Sequence, residues 1–209
     1  KIYQKITICC KFQQSITTLI IKLNTYIIMK NSTLISIFTF ACIMLISFNV
    51  KAQDFPKLDK SPMDAASFPS SYRESNKAVK IVYSRPQLKG RALSELAPNG
   101  KVWRTGANEA AELTLYSDMK LGSTNVKAGT YTFYVIPGDK EWTAIISTDL
   151  NVWGSYFYNE DNDVARLSVP VESAEKSLEA FSMAFTEGKG GVNLHLGWGN
   201  VRVTVPFTK

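Results

Sequence analysis

The chain has 209 residues and a formal charge of +6, with 24 Lys and Arg against 18 Asp and Glu. Six of those lysines and none of the acidic residues lie in residues 1–52; setting them aside leaves residues 53–209 with 18 basic and 18 acidic side chains, hence no net charge. That balance removes the basic surface a nucleic-acid partner would need. All three cysteines also precede residue 53, so neither disulfides nor thiolate metal sites are expected beyond it, and no cofactor or metal.

Residues 1–28 are apolar and basic, precede the first methionine (Met29), and read as translation upstream of the true start, outside the protein proper. Met29-Lys30-Asn31 gives a short positive start. An apolar run follows from Leu34 to Phe48, and then Val50-Lys51-Ala52. This is the layout of a secretory signal peptide over residues 29–52, cleaved after Ala52 to leave Gln53 at the mature N-terminus. A membrane anchor is the competing reading, but the run is shorter than the roughly 20 residues a bilayer span requires. Acylation at Cys42 is a further alternative. Thr39 and Phe40 suit such a site poorly, so Cys42 reads as apolar filler within the signal core. The expected destination is the periplasm or cell surface of a bacterium, since a small eukaryotic secreted domain would usually carry disulfides. No membrane span remains after cleavage on this reading.

Residues 53–77, with Pro56, Pro62 and Pro69 among Ser and Asp, predict an irregular lead-in. From residue 78 to 209 the apolar period is close to two. Val79, Ile81 and Tyr83 predict a first strand ending at Arg85-Pro86, and Leu113 and Leu115 a second. Tyr131, Phe133 and Val135 should pair with Trp142, Ala144 and Ile146 as a hairpin across Gly138-Asp139-Lys140. A strand over Val164–Val169 should break at Pro170, and another holds Phe181, Met183 and Phe185. Val192 to Trp198 should turn at Gly199-Asn200 into Val201, Val203 and Val205. Short helical turns are expected at Ala92–Leu96 and at Ala174–Leu178. About eight strands at short spacings predict an all-β, jelly-roll-like antiparallel β-sandwich.

The densest cluster of chemistry runs from Gly90-Arg91 through Pro98 to Ala110, in a connection of about 25 residues, and loops that long carry function or structure of their own. Trp103 offers a flat apolar face, Arg91 and Arg104 offer forked donors, and Asn108 and Glu109 offer acceptors beside them. Two readings stand: a ligand site, or a brace in which Trp103 packs into the core while Arg104 and Glu109 close an ion pair.

Pro98-Asn99-Gly100-Lys101-Val102-Trp103-Arg104-Thr105-Gly106-Ala107-Asn108-Glu109-Ala110 resembles the signature of a bacterial family, domain of unknown function 2911. Ala128-Gly129-Thr130-Tyr131, Ile136-Pro137-Gly138 before Glu141-Trp142-Thr143, Trp153-Gly154 before Tyr158, Asp163-Val164-Ala165-Arg166 and Trp198 fit it in order. The resemblance covers roughly Arg85 to Phe207. It implies a secreted or periplasmic β-rich domain and carries no reaction with it. The family often has an aromatic where this chain has Asn99, which argues against a catalytic role there. Taken by its residues alone, Gly129 reads as backbone freedom for a tight turn into a strand.

Of the remaining aromatics, Trp142 and Trp198 fall in phase with core positions, whereas Trp153, Tyr156 and Tyr158 lie in a loop suited to an exposed surface. Glu160, Asp161 and Asp163 lack the glycine and distal glutamate of a calcium loop and read as a solvated turn. His195, the one histidine, sits on the polar face of its strand, and no G-x-S-x-G accompanies it. The site candidates are therefore Arg91, Trp103, Arg104, Asn108, Glu109, Trp153 and Tyr158. The expected function is non-catalytic binding of a polar or anionic ligand, a glycan or envelope component. The alternative is a glycan or envelope-polymer hydrolase with Glu109, Glu112 or Asp163 as acid and base.

Overall fold

In the computed structural model the described residues are 2–47 and 52–209. They fall into two units, Lys1–Pro56 and Lys57–Lys209. The first holds helix α1 (Ile2–Ser47), in which Thr18, Thr25, Thr33 and Thr39 each return their hydroxyl to the carbonyl four residues back. Among the described residues no helix is long and apolar enough to cross a membrane. Val50 and Lys51, next to the expected cleavage after Ala52, lie outside the described residues.

The second unit is all-β. Among the described residues nine strands form one antiparallel succession: β1 (Met63–Phe68), β2 (Val79–Ser84), β3 (Ala111–Leu115), β4 (Met119–Leu121), β5 (Thr124–Val126), β6 (Gly129–Ile136), β7 (Glu141–Ser147), β8 (Asp163–Gly188) and β9 (Gly191–Thr208). Their order across the sheet is β1-β2-β3-β6-β7-β8-β9-β4-β5, open at both edges. The 26-residue β8 makes this a sandwich, pairing through Asp163–Pro170 with β7 and from Val171 onward with β9. One chain segment thus belongs to both layers. The hairpin of β6 and β7 forms as expected, Ile136 opposite Thr143.

The alternating apolar residues meet between the layers. Ile81, Leu113, Phe133 and Ile146 come from one layer, Leu194, Val203 and Phe207 from the other, each almost wholly buried. Burial of this many large side chains, each contributing about 1.5–3 kcal/mol, is the main force holding the unit together.

Several expectations are corrected. Residues 53–77 are not wholly irregular, because β1 adds to the edge of β2, Ala66 opposite Ile81. No break occurs at Pro170; it stands where β8 leaves β7 for β9, so its missing N–H falls at the changeover. Ala174–Leu178 is strand, not helix, and the β8–β9 register shifts between Ser173 and Leu178 and again between Leu178 and Ser182. The chain runs straight through Gly199-Asn200, Gly199 pairing with Leu178 in the left-handed region at φ 54°. Of the two expected helical turns, the one at Ala92–Leu96 does form, as helix α2 (Leu93–Leu96). Gly129 does not adopt a left-handed conformation, and a Cβ there would meet the Tyr131 ring at an ordinary contact distance of 3.4 Å.

Candidate functional site

The long connection before β3 divides into two halves with different tasks. The first half anchors the chain. Trp103 exchanges both backbone hydrogen bonds with Val135, at 2.8 and 3.1 Å, so it extends the sheet beside β6. Its indole sits in a nest of rings, stacked on Trp198 and edge-on to Trp142 and Phe181.

The second half turns back toward the outer face of the sheet. Thr105 (φ 53°) and Asn108 (φ 61°) both occupy the left-handed region, which is costly for a β-branched residue such as Thr105. Gly106 permits the turn, since a Cβ there would lie 3.1 Å from the Ser84 carbonyl oxygen. Beyond the turn the chain pairs with the loop after β7. The Ala110 amide donates to the Val152 carbonyl and the Gly154 amide to the Asn108 carbonyl, which leaves Glu109 opposite Trp153. On that loop Asn151 is left-handed as well, at φ 56°. Three strained non-glycine residues thus converge on one place, and such strain persists only where the surrounding structure enforces it.

What they frame is a cavity of about 270 Å³ on the outer face, lined by Val82, Ser84, Glu109, Glu112, Thr132 and Asn151 among others. Register explains the strand contributions: Val82, Glu112 and Thr132 stand in one row across β2, β3 and β6. Ser84 and Thr132 are buried, whereas Glu109 and Glu112 are exposed. Among the described residues that line it there is no Lys or Arg, so the cavity is acidic, its two carboxylates standing with the Ser84 and Thr132 hydroxyls and the Asn151 amide among apolar neighbours such as Met63 and Val152.

Of the residues expected to form a site, Glu109 lines this cavity, and Asn108 and Trp153 adjoin it through the backbone pairing. Trp103 is core. Arg91 lies outside the lining, its guanidinium donating to the Leu88 and Gln87 carbonyls. Arg104 forms no ion pair with Glu109 among the described residues, and its buried Nε finds no hydrogen-bond partner. Glu112, considered as one of a carboxylate pair, does face the same cavity as Glu109. Ser84, Thr132 and Asn151 line the cavity without a signal in the sequence. Ser84 and Thr132 are ordinary strand residues, and nothing near Asn151 in sequence signals its strained backbone.

Tyr158 belongs to a separate polar network under the same loop. Its hydroxyl donates to Asp163 Oδ2 at 2.6 Å and accepts from Arg166, whose Nε also reaches Asp163 Oδ2 and whose Nη1 meets Glu160 at 3.0 Å. Tyr134 packs edge-on to the Tyr158 ring. Burial, followed by the Asp149 and Asp163 charges, pushes the Tyr134 phenol up to about 12. Burial together with the hydrogen bond to Asp163 pushes Tyr158 up to about 12 as well. Glu160–Asn162 is a short 3-10 turn capped by Asn159, and among the described residues no group of three potential ligands gathers as a metal site would. His195 bridges Thr186 and Thr204 on a strand face.

The family described as protein of unknown function (DUF2911) matches residues 61–207. The chain belongs to that family. The DUF2911 region therefore begins before β2 and takes in β1, some 24 residues earlier than the signature residues alone indicate. No curated protein and no solved structure matches the chain.

Proposed function

We propose that this DUF2911 protein is a secreted bacterial binding protein whose outer-face cavity takes a hydroxyl-rich, uncharged ligand, a glycan unit of the cell envelope. The observation that carries this reading is the joint presence of Glu109 and Glu112 in one cavity with Ser84, Thr132 and Asn151 and without a lining cation among the described residues. Carboxylates accept hydrogen bonds from sugar hydroxyls, and such charge-assisted bonds run roughly twice as strong as neutral ones. An anionic ligand is disfavoured, because two carboxylates would repel it. Export rests on the signal-like segment 29–52, and Gln53 as the first residue of the exported protein would support it.

The test is a thermal-shift and calorimetric panel of neutral sugars and small anions, run on the protein and on Glu109→Gln. Neutral sugars should raise the melting temperature, anions should not, and Glu109→Gln should lose most of the response. A flat response to every sugar sinks the reading.

A second reading, a glycan hydrolase, is kept because Glu109 and Glu112 face one cavity, as an acid and base pair must. Release of reducing ends that disappears in both Glu109→Gln and Glu112→Gln would establish it. Binding without turnover excludes it.

A further inference from the structure

The loop after β7 presents three aromatic side chains within five positions to solvent: Trp153, Tyr156 and Phe157 are 58%, 75% and 86% exposed. A cluster of large exposed rings on a folded domain marks a surface that something else covers. The loop is also fixed in place. Ser155 Oγ donates to the Val102 carbonyl at 2.8 Å, and the Gly154 amide donates to Asn108. Gly154 is left-handed, and a Cβ on it would sit 2.6 Å from the Tyr156 ring, so that ring lies directly against the backbone. The backbone that carries the rings is therefore already ordered, which lowers the entropic cost to a ligand.

Position relative to the cavity decides what covers them. Trp153 is the antiparallel bridge partner of Glu109. Opposed residues of an antiparallel pair project to the same side, which puts the indole on the same side as the Glu109 carboxylate, next to the cavity that Glu109 lines. We propose that Trp153, Tyr156 and Phe157 form a stacking shelf continuing the cavity, so that the ligand is a chain of neutral sugar units rather than a single one. This rests on the glycan reading of the cavity. The C–H face of a pyranose is apolar with slightly positive hydrogens, and it matches the negative face of an aromatic ring. A protein partner fits less well: an apolar face pressed here would bury Glu109 and Glu112 unpaired, whereas sugar hydroxyls satisfy them.

Trp153 supplies its own reporter. All four tryptophans are described, and among them Trp103, Trp142 and Trp198 are buried while Trp153 is exposed. The experiment titrates the protein with β-linked glucose and N-acetylglucosamine oligomers of increasing length, following calorimetric affinity and tryptophan emission. Affinity should rise about tenfold between the monomer and a short oligomer, with a blue shift that Trp153→Phe abolishes. Trp153→Ala/Phe157→Ala should lose the length dependence while melting as the parent does. A length gain that survives this double variant overturns the shelf, as does equal affinity at every length. Patch-dependent self-association without a length gain overturns it too. Failure of every sugar, monomers included, sinks the glycan reading of the cavity and the shelf with it, so the two failures are distinguishable.

Discussion

Trp103 lies flat on Trp198, their ring centroids 5.5 Å apart and their planes 18° from parallel. The contact joins the connection before β3 to β9 in the opposite layer. Phe181 from β8 and Trp142 from β7 meet the same indole edge-on. Trp103 is thus the pin that sets the start of the loop whose far end frames the cavity. Replacing it leaves a large hole between rings that cannot collapse together. Trp103→Ala should cost about 3–5 kcal/mol, read as a fall in the denaturant midpoint. A loss under about 1 kcal/mol would show that the aromatic nest is not structural.

The next residue carries the opposite expectation. Arg104 Nε is buried without a hydrogen-bond partner among the described residues, and a donor left in that state costs about 1–3 kcal/mol. Arg104→Met keeps the aliphatic stem and removes the stranded N–H. Stability measured by urea unfolding should hold or rise by about 1 kcal/mol. A clear drop would reveal a partner for the guanidinium and revive a binding role for it.

Most of the layers were legible because apolar side chains recur at every second position of their strands. Val79-Lys80-Ile81, Leu113-Thr114-Leu115 and Tyr131 to Val135 each bury every second side chain or more, and a Gly-containing turn fixed the β6–β7 hairpin. What escaped lacked that period. β4 and β5 are three residues each, too short to alternate, and β1 is Met-Asp-Ala-Ala-Ser-Phe, nearly all small or polar. The polar stretch of β8 from Ser173 to Leu178 mimics a helix in composition but stays extended, with bulges that take up the register. Of the cavity, Glu109 was legible as part of a dense motif, and Glu112 as a possible partner carboxylate. Ser84, Thr132 and Asn151 were not, since they come together only through the strand order β2-β3-β6 and a loop some twenty residues farther on.

The Asp163 carboxylate should matter more than its neighbour. Its side chain is 7% exposed and takes both the Tyr158 hydroxyl and Arg166 Nε, whereas Glu160 is 72% exposed and meets Arg166 at the rim. Asp163→Asn leaves a partly buried guanidinium short of its main counter-charge, at a cost of about 3 kcal/mol. Glu160→Gln should cost under about 1 kcal/mol. Equal effects in urea unfolding would contradict the burial difference.

The two tyrosines of this network give a test at alkaline pH. Tyr134 and Tyr158 both have phenols pushed up to about 12, burial being the first cause for each. The unfolded chain ionises near 10, so the fold favours the neutral form. The resulting stability is fully present below pH about 10 and is lost as pH rises through about 12. Phenolate absorbance of the native protein should therefore show at least two of the nine tyrosines lagging the rest, with unfolding beginning as they ionise. Tyr158→Phe should remove one late-ionising phenol while leaving Tyr134 delayed, because Tyr134 is held up first by its own burial and then by the charges of Asp149 and Asp163. If every tyrosine ionises together while circular dichroism stays native, the phenols are not enclosed and the network does not brace the loop.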